Sequence, residues 1–168
     1  MDNVIKHADS LLRRFKTRNP FEIADNLNII VKYGDFHQLK GFYKYICRNR
    51  FIAINSRSDE IEQMIICSHE LGHDQLHRNH AKTGLMKDYQ IYDATDVYER
   101  EANYFASHLL IDDADFLDYA GMKYTYAMIA AELNVHEELA IIKADILKRR
   151  GHKLNIPYVP KAGYLGRR

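Results

Sequence analysis

The stretch 67-CSHELGHDQLH-77 sets three histidines four residues apart, at 69, 73 and 77, with a glutamate directly after the first. On a helix, four residues is just over one turn, so His69 and His73 point the same way. Two imidazoles so placed can share one zinc ion at about 2.0–2.1 Å per nitrogen. Glu70 falls about 100° around the helix from His69, beside such an ion and not on it. A carboxylate there can take a proton from water activated by the metal and deliver it to a leaving amine. One turn of helix would thus supply two ligands and a general base.

The flanks favour a helix. Ser58, Asp59 and Glu60 form a start signal, and Ile61, Met64, Ile65, Ile66, Leu71 and Leu76 supply its apolar positions. The pattern alone is only a hypothesis, since it arises in roughly one shuffled sequence of this composition in forty. Its bland alternative is a polar helix face. His77 lies one further turn along, roughly 6 Å of rise beyond His73. A single ion is not readily met by positions i, i+4 and i+8 of a straight helix. The metzincin arrangement needs a glycine turn and a longer spacing, both absent here. His77 therefore reads as a helix C-terminal residue favoured by the dipole, and His80 takes the same reading. Cys67, two residues before His69, points to the opposite side and reads as core.

A catalytic zinc needs a third protein ligand and keeps one position open. The stretch 99-EREANYFASHLL-110 offers two glutamates. Ala102, Phe105, Ala106, Leu109 and Leu110 define a buried arc; at 100° per residue Glu99 falls about 50° from its centre, and Glu101 more than about 100° away, beside Tyr104 and His108. A carboxylate on a buried face is costly unless paired or on a metal. Glu99 is thus the expected ligand, with a structural salt bridge as its alternative, and Glu101 reads as a solvated surface charge. Asn103, one turn after Glu99, is placed to hydrogen-bond a ligating histidine.

The rest of the chain fits one α+β domain over 1–150 with a tail over 151–168. The 168 residues are 46% apolar and 28% charged, with a net charge of +1, so no strong field points to nucleic acid or membrane. The N-terminus lacks the apolar core of a secretory signal, and no run has the length of a membrane span. A cytoplasmic location is expected, with both cysteines, Cys47 and Cys67, reduced. Helices are expected over 1–18 and roughly 20–27, the second opened by 19-NPFE-22. Short segments rich in Ile, Val, Tyr and Phe at 29–36, 39–46 and 50–56 suggest a small antiparallel sheet of about three strands. After the motif helix come a loop over roughly 79–94 and helices near 96–111, 113–120, 124–132 and 136–149. The last two, within 124–149, have a helix-turn-helix silhouette. The second carries Glu137, Glu138 and Asp145 against Lys143, the wrong sign for reading a DNA groove, so direct nucleic-acid binding is not expected.

His69-Glu70-Leu71-Gly72-His73 followed by Glu99-x-x-Ala102-Asn103-x-Phe105-Ala106 resembles the ImmA/IrrE family of metallopeptidases, over roughly residues 5–150. The resemblance implies a zincin-like metalloprotease domain, its small sheet packed against the HExxH helix and its C-terminal part helical. It implies one zinc ion on His69, His73 and Glu99, with Glu70 as base. It further implies a cytosolic protease of phages or mobile elements that relieves repression by cutting a helix-turn-helix repressor. Ile111-Asp112 stands where many members carry Met-Pro, a departure at a helix end. The other reading is a non-catalytic regulatory module that holds a repressor or DNA. Two details stay open: a stabiliser of developing negative charge, for which Tyr92, Tyr98 and His108 lie near enough in sequence, and the substrate's place. A substrate strand is expected along the edge near 50–56 or a neighbouring strand.

Overall fold

The computed structural model describes residues 1–81 and 97–154, the side chains at 80 and 81 excepted. Tyr92, the His80 side chain, most of the expected 79–94 loop and the tail beyond 154 lie outside them. In chain order the elements are α1 (Asp2–Phe15), α2 (Pro20–Asn26), β1 (Ile30–Gly34), β2 (Gly41–Ile46), β3 (Asn49–Asn55), α3 (Glu60–Leu76), α4 (Arg78–Ala81), α5 (Val97–Leu110), α6 (Asp113–Gly121), α7 (Tyr126–Glu132) and α8 (Glu137–Arg149). The short α4 occupies the start of the stretch expected to be loop.

Side-chain caps set four of the helix starts. Asn19 accepts from the backbone N–H of Phe21 and Glu22, with Pro20 at the first helical position. Asp59 accepts from Glu62 N–H at the head of α3, and Thr125 from Met128 N–H at the head of α7. Asp112 does the same for α6 through Ala114 N–H. The Ile111-Asp112 departure thus has a local use, a carboxylate cap where proline would offer none.

The sheet order is β1-β3-β2, with β3 parallel to β1 and antiparallel to β2. The expected antiparallel sheet is therefore corrected to a mixed one. Successive strands do reverse direction, but β3 inserts between the first two, so its β1 neighbour runs the same way. Its run Phe51-Ile52-Ala53-Ile54 suits a position flanked on both sides, whereas β1 and β2 each carry a lysine, Lys32 and Lys44, as edges do. Central placement also corrects the expectation that 50–56 is an edge. β2 and β3 are joined by Cys47 and Arg48, both at positive φ (50° and 64°), the backbone of a two-residue hairpin turn.

Two apolar clusters flank α5. One gathers Ala8, Leu11, Ile23, Tyr43, Ile52, Ile54, Ile66, Leu71, Phe105 and Leu109, from α1, α2, the sheet, α3 and α5. The other gathers Phe116, Ile129, Leu139, Ile142, Ile146 and Leu147 from the C-terminal helices, with Ile5 and Ile65. Sandwiched between them, α5 buries Asn103, Ser107 and His108 along with its apolar arc. Gly72 lets α3 and α5 approach: a Cβ there would stand 3.2 Å from Ala102 Cα and 3.2 Å from the Phe105 ring.

A polar network ties the far end of α5 to its neighbours. Arg18 donates to the carbonyls of His108, Leu109 and Ile111 and pairs with Asp112 at 2.5 Å. Lys143, fully buried, donates to Ile111 O at 2.6 Å and pairs with Asp113 at 2.5 Å. These cations meet the last carbonyls of α5, where the helix dipole favours them. Burial still pushes the Lys143 ammonium down to about 8, against the pull of Asp113.

Candidate metal centre

Within one turn α3 presents His69, Glu70 and His73, all fully buried, and α5 brings Glu99 and Asn103 against them. The two Nε2 atoms are 3.0 Å apart. Glu99 spans both, with one oxygen 3.1 Å from His69 Nε2 and the other 3.3 Å from His73 Nε2. Burial pushes the Glu99 carboxyl up, but hydrogen bonds and charge from the two imidazoles outweigh it and hold the group well below the usual carboxylate range.

Among the described residues His69, His73 and Glu99 form the one group of histidine, cysteine and carboxylate side chains whose donor atoms converge, all within 4.8 Å. Ligands at about 2.0–2.1 Å in a tetrahedron stand about 3.3 Å from each other, close to the spacings of this trio. The residues therefore fit a zinc ion by donor type, count and spacing, with a fourth position left for another ligand.

The remaining ring nitrogens are also engaged. His69 Nδ1 is 3.0 Å from Asn103 Oδ1, the contact expected from the one-turn offset of Asn103. His73 Nδ1 faces His77 Nδ1 at 3.1 Å, and His77 Nε2 lies 2.9 Å from Glu101 Oε2. Tyr98 meets the His77 ring edge to face, with centroids 4.8 Å apart. His77 does end α3, its N–H bonded to His73 O, yet it is buried and not a solvated terminus. Glu101, read as a surface charge, is half-buried and paired to it. Sequence reasoning missed this pair because a single buried arc was assumed for α5. The available signal was a third histidine one turn after the second, too far to share the ion but placed to reach its neighbour's ring.

Glu70 stands outside the trio, turned toward β2: a Cβ on Gly41 would lie 3.2 Å from Glu70 Oε1. Cys67 is buried in the first cluster, where burial pushes its thiol up. Cys47 is exposed. His108 is removed from the centre. It lies nine residues along α5 from Glu99, roughly 13 Å, and bonds Asp9 at 2.8 Å and Lys143 at 3.1 Å.

The sequence profile of the IrrE N-terminal-like domain, Peptidase_M78, matches residues 24–145, which include every residue of this centre. The chain belongs to this family. It is 42% identical over 134 residues to a protein of Bacillus phage phi105 named Uncharacterized immunity region protein 2, covering 79% of this chain and 84% of that one. It is 27% identical over 139 residues to Metallopeptidase ImmA of Bacillus subtilis (strain 168), covering 78% of each. The family resemblance carried by HELGH and Glu-x-x-Ala-Asn is thus borne out. No helix among the described residues is long and apolar enough to cross a membrane.

Proposed function

We propose that the protein is a zinc-dependent endopeptidase of the cytoplasm whose substrate is a helix-turn-helix repressor of a phage or mobile element. The convergence of His69, His73 and Glu99 next to Glu70 carries the reading. The relatives' names, one a metallopeptidase and one from a phage immunity region, agree with it.

His69 and His73 would hold the ion through Nε2 and Glu99 through its carboxylate. Zinc bound there supplies Lewis acidity, polarising a scissile carbonyl and making water nucleophilic near neutral pH. Glu70, off the ion and beside β2, receives the water's proton and passes it to the departing amine. Asn103 Oδ1 would accept a hydrogen bond from His69 Nδ1–H, which leaves Nε2 as the ligand atom.

The register of β2 suggests where the substrate lies. Lys40 O accepts from Asn55 N–H, and Gly41 is opposite Ile54, so Phe42 and Lys44 bond β3 while Gly41 and Tyr43 turn their peptide groups away from it. That side is the one where no strand is paired among the described residues. An extended substrate added along β2 would run past Glu70. The exposed Glu137 and buried Lys143 of α8 support no role for direct nucleic-acid binding in this reading, in which Arg149 is paired with Asp145.

The test is incubation with the repressor encoded beside the gene, with and without chelator, followed by a gel. Cleavage should require metal. Glu70→Gln should bind zinc as the native chain does and lose cleavage by roughly 10²–10⁴-fold, while His69→Ala loses both. A fully active Glu70→Gln chain would overturn the mechanism. Binding of the repressor without fragments would favour a module that holds it.

A further inference from the structure

The third histidine of the opening motif has a place that the zinc site itself does not use. His77 folds back from the end of α3, so that its ring lies 5.2 Å from the His73 ring and its other edge meets Glu101. The His77 side chain is 3% exposed and that of Glu101 36%, so the chain of contacts runs from the buried centre to the surface.

Two Nδ1 atoms 3.1 Å apart share one hydrogen. If His73 gives its Nε2 lone pair to a metal, its proton sits on Nδ1 and is donated to His77. The His77 Nδ1 must then carry a lone pair, and its own proton must sit on Nε2, where the Glu101 carboxylate accepts it. The opposite arrangement sets a bare His77 Nε2 against a carboxylate, two acceptors in contact. It also moves the His73 proton to Nε2, the atom that faces His69 and Glu99.

We propose that His77 and Glu101 are positioning residues for the metal: Glu101 fixes the His77 tautomer, and His77 thereby fixes His73 as an Nε2 ligand. The two ligating imidazoles are therefore supported differently. His69 leans on a neutral amide, and His73 on a relay ending in a carboxylate, the type of partner that raises a ligand's basicity. The relay rests on the zinc-site reading and adds to it two residues that touch neither metal nor substrate.

The experiment compares zinc affinity, by competition with a chromophoric chelator, in the full-length native chain, Glu101→Gln, Glu101→Lys and His77→Phe. The melting temperature of each metal-free chain is measured alongside. Glu101→Lys places a donor against His77 Nε2 and should weaken zinc roughly 10–100-fold with the metal-free melting temperature unchanged. Glu101→Gln, which can still accept, should lose less. His77→Phe keeps a ring against Tyr98 and should match the lysine variant. Nitrogen-15 spectra of the zinc-loaded native chain should show His77 protonated on Nε2 and His73 on Nδ1. A His77 protonated on Nδ1, or a Glu101→Lys chain that binds zinc within twofold of the native one, overturns the relay alone. A native chain that takes up no zinc overturns the relay and the proposed function together.

Discussion

Asn103 Oδ1 lies 3.0 Å from His69 Nδ1 in a buried setting, where losing the acceptor removes the hydrogen bond that orients the ring. Asn103→Leu should weaken zinc roughly 10–100-fold, read by chelator competition, while Asn103→Asp, which keeps an acceptor, should bind as tightly as the native chain. At these positions much was legible in the sequence. His69, Glu70 and His73 follow from a four-residue spacing, and Glu99 was separated from Glu101 by its angle on α5. Helical angle alone could not show that α5 has cover on two sides. That second layer is why Glu101 and His77 meet under partial burial and why His108, off the apolar arc, is 2% exposed.

Among the elements, the α3–α5 contact decides whether ligands from two helices meet. Gly72→Ala gains helix propensity of about 1 kcal/mol, but its Cβ would press on Ala102 Cα, a main-chain atom that cannot swing aside. Relief comes from parting the helices by a few tenths of an ångström, which separates Glu99 and Asn103 from the two histidines. The expected outcome is a urea midpoint close to that of the native chain with zinc affinity reduced severalfold, as measured by the same competition. Element positions were legible because caps and apolar spacing are local, and Pro20 and Asp59 sit where those signals put them. Strand order was not. A reversing chain suggests that neighbours in sequence pair in space, and the insertion of β3 between β1 and β2 is decided by which strand is apolar enough for the centre. The turn gave little help either, since Cys47 and Arg48 adopt positive φ without the glycine or asparagine that announces such a hairpin.

For the molecule as a whole, Asp9, His108, Asp113, Lys143 and Arg150 join α1, α5, α6 and α8. Three of these groups titrate below their ordinary values. Burial, then the Lys143 charge, lowers His108 from 6.5; burial lowers Lys143 from 10.5 to about 8; and Asp113 falls below 3.8 because its bond to Lys143 outweighs its own desolvation. In each case the unfolded chain binds a proton at a pH where the folded chain does not, so each contribution is lost as pH falls. For Lys143 the window is between 10.5 and about 8, for His108 it opens below 6.5, and for Asp113 below 3.8. The metal-free chain should therefore show a lower urea midpoint at pH 5 than at pH 8, and His108→Gln should flatten the part of that decline below pH 6.5. A midpoint rising toward acid would contradict it. None of this network was legible in the sequence, because its partners lie far apart, Asp9 and Arg150 by 141 positions, and only the folded chain brings them together.

The burial of the metal centre bears on time as well as on affinity. His69 and His73 have no exposed surface and Glu99 very little, so an ion bound there would be shielded by its own ligands and met by water at the fourth position. Water and substrate can use that position, but release of the ion requires all three ligands to let go, which a local parting of α3 and α5 would speed. A chain loaded with zinc should thus yield it to a competitor more slowly than one whose α3 and α5 are forced apart, as by Gly72→Ala.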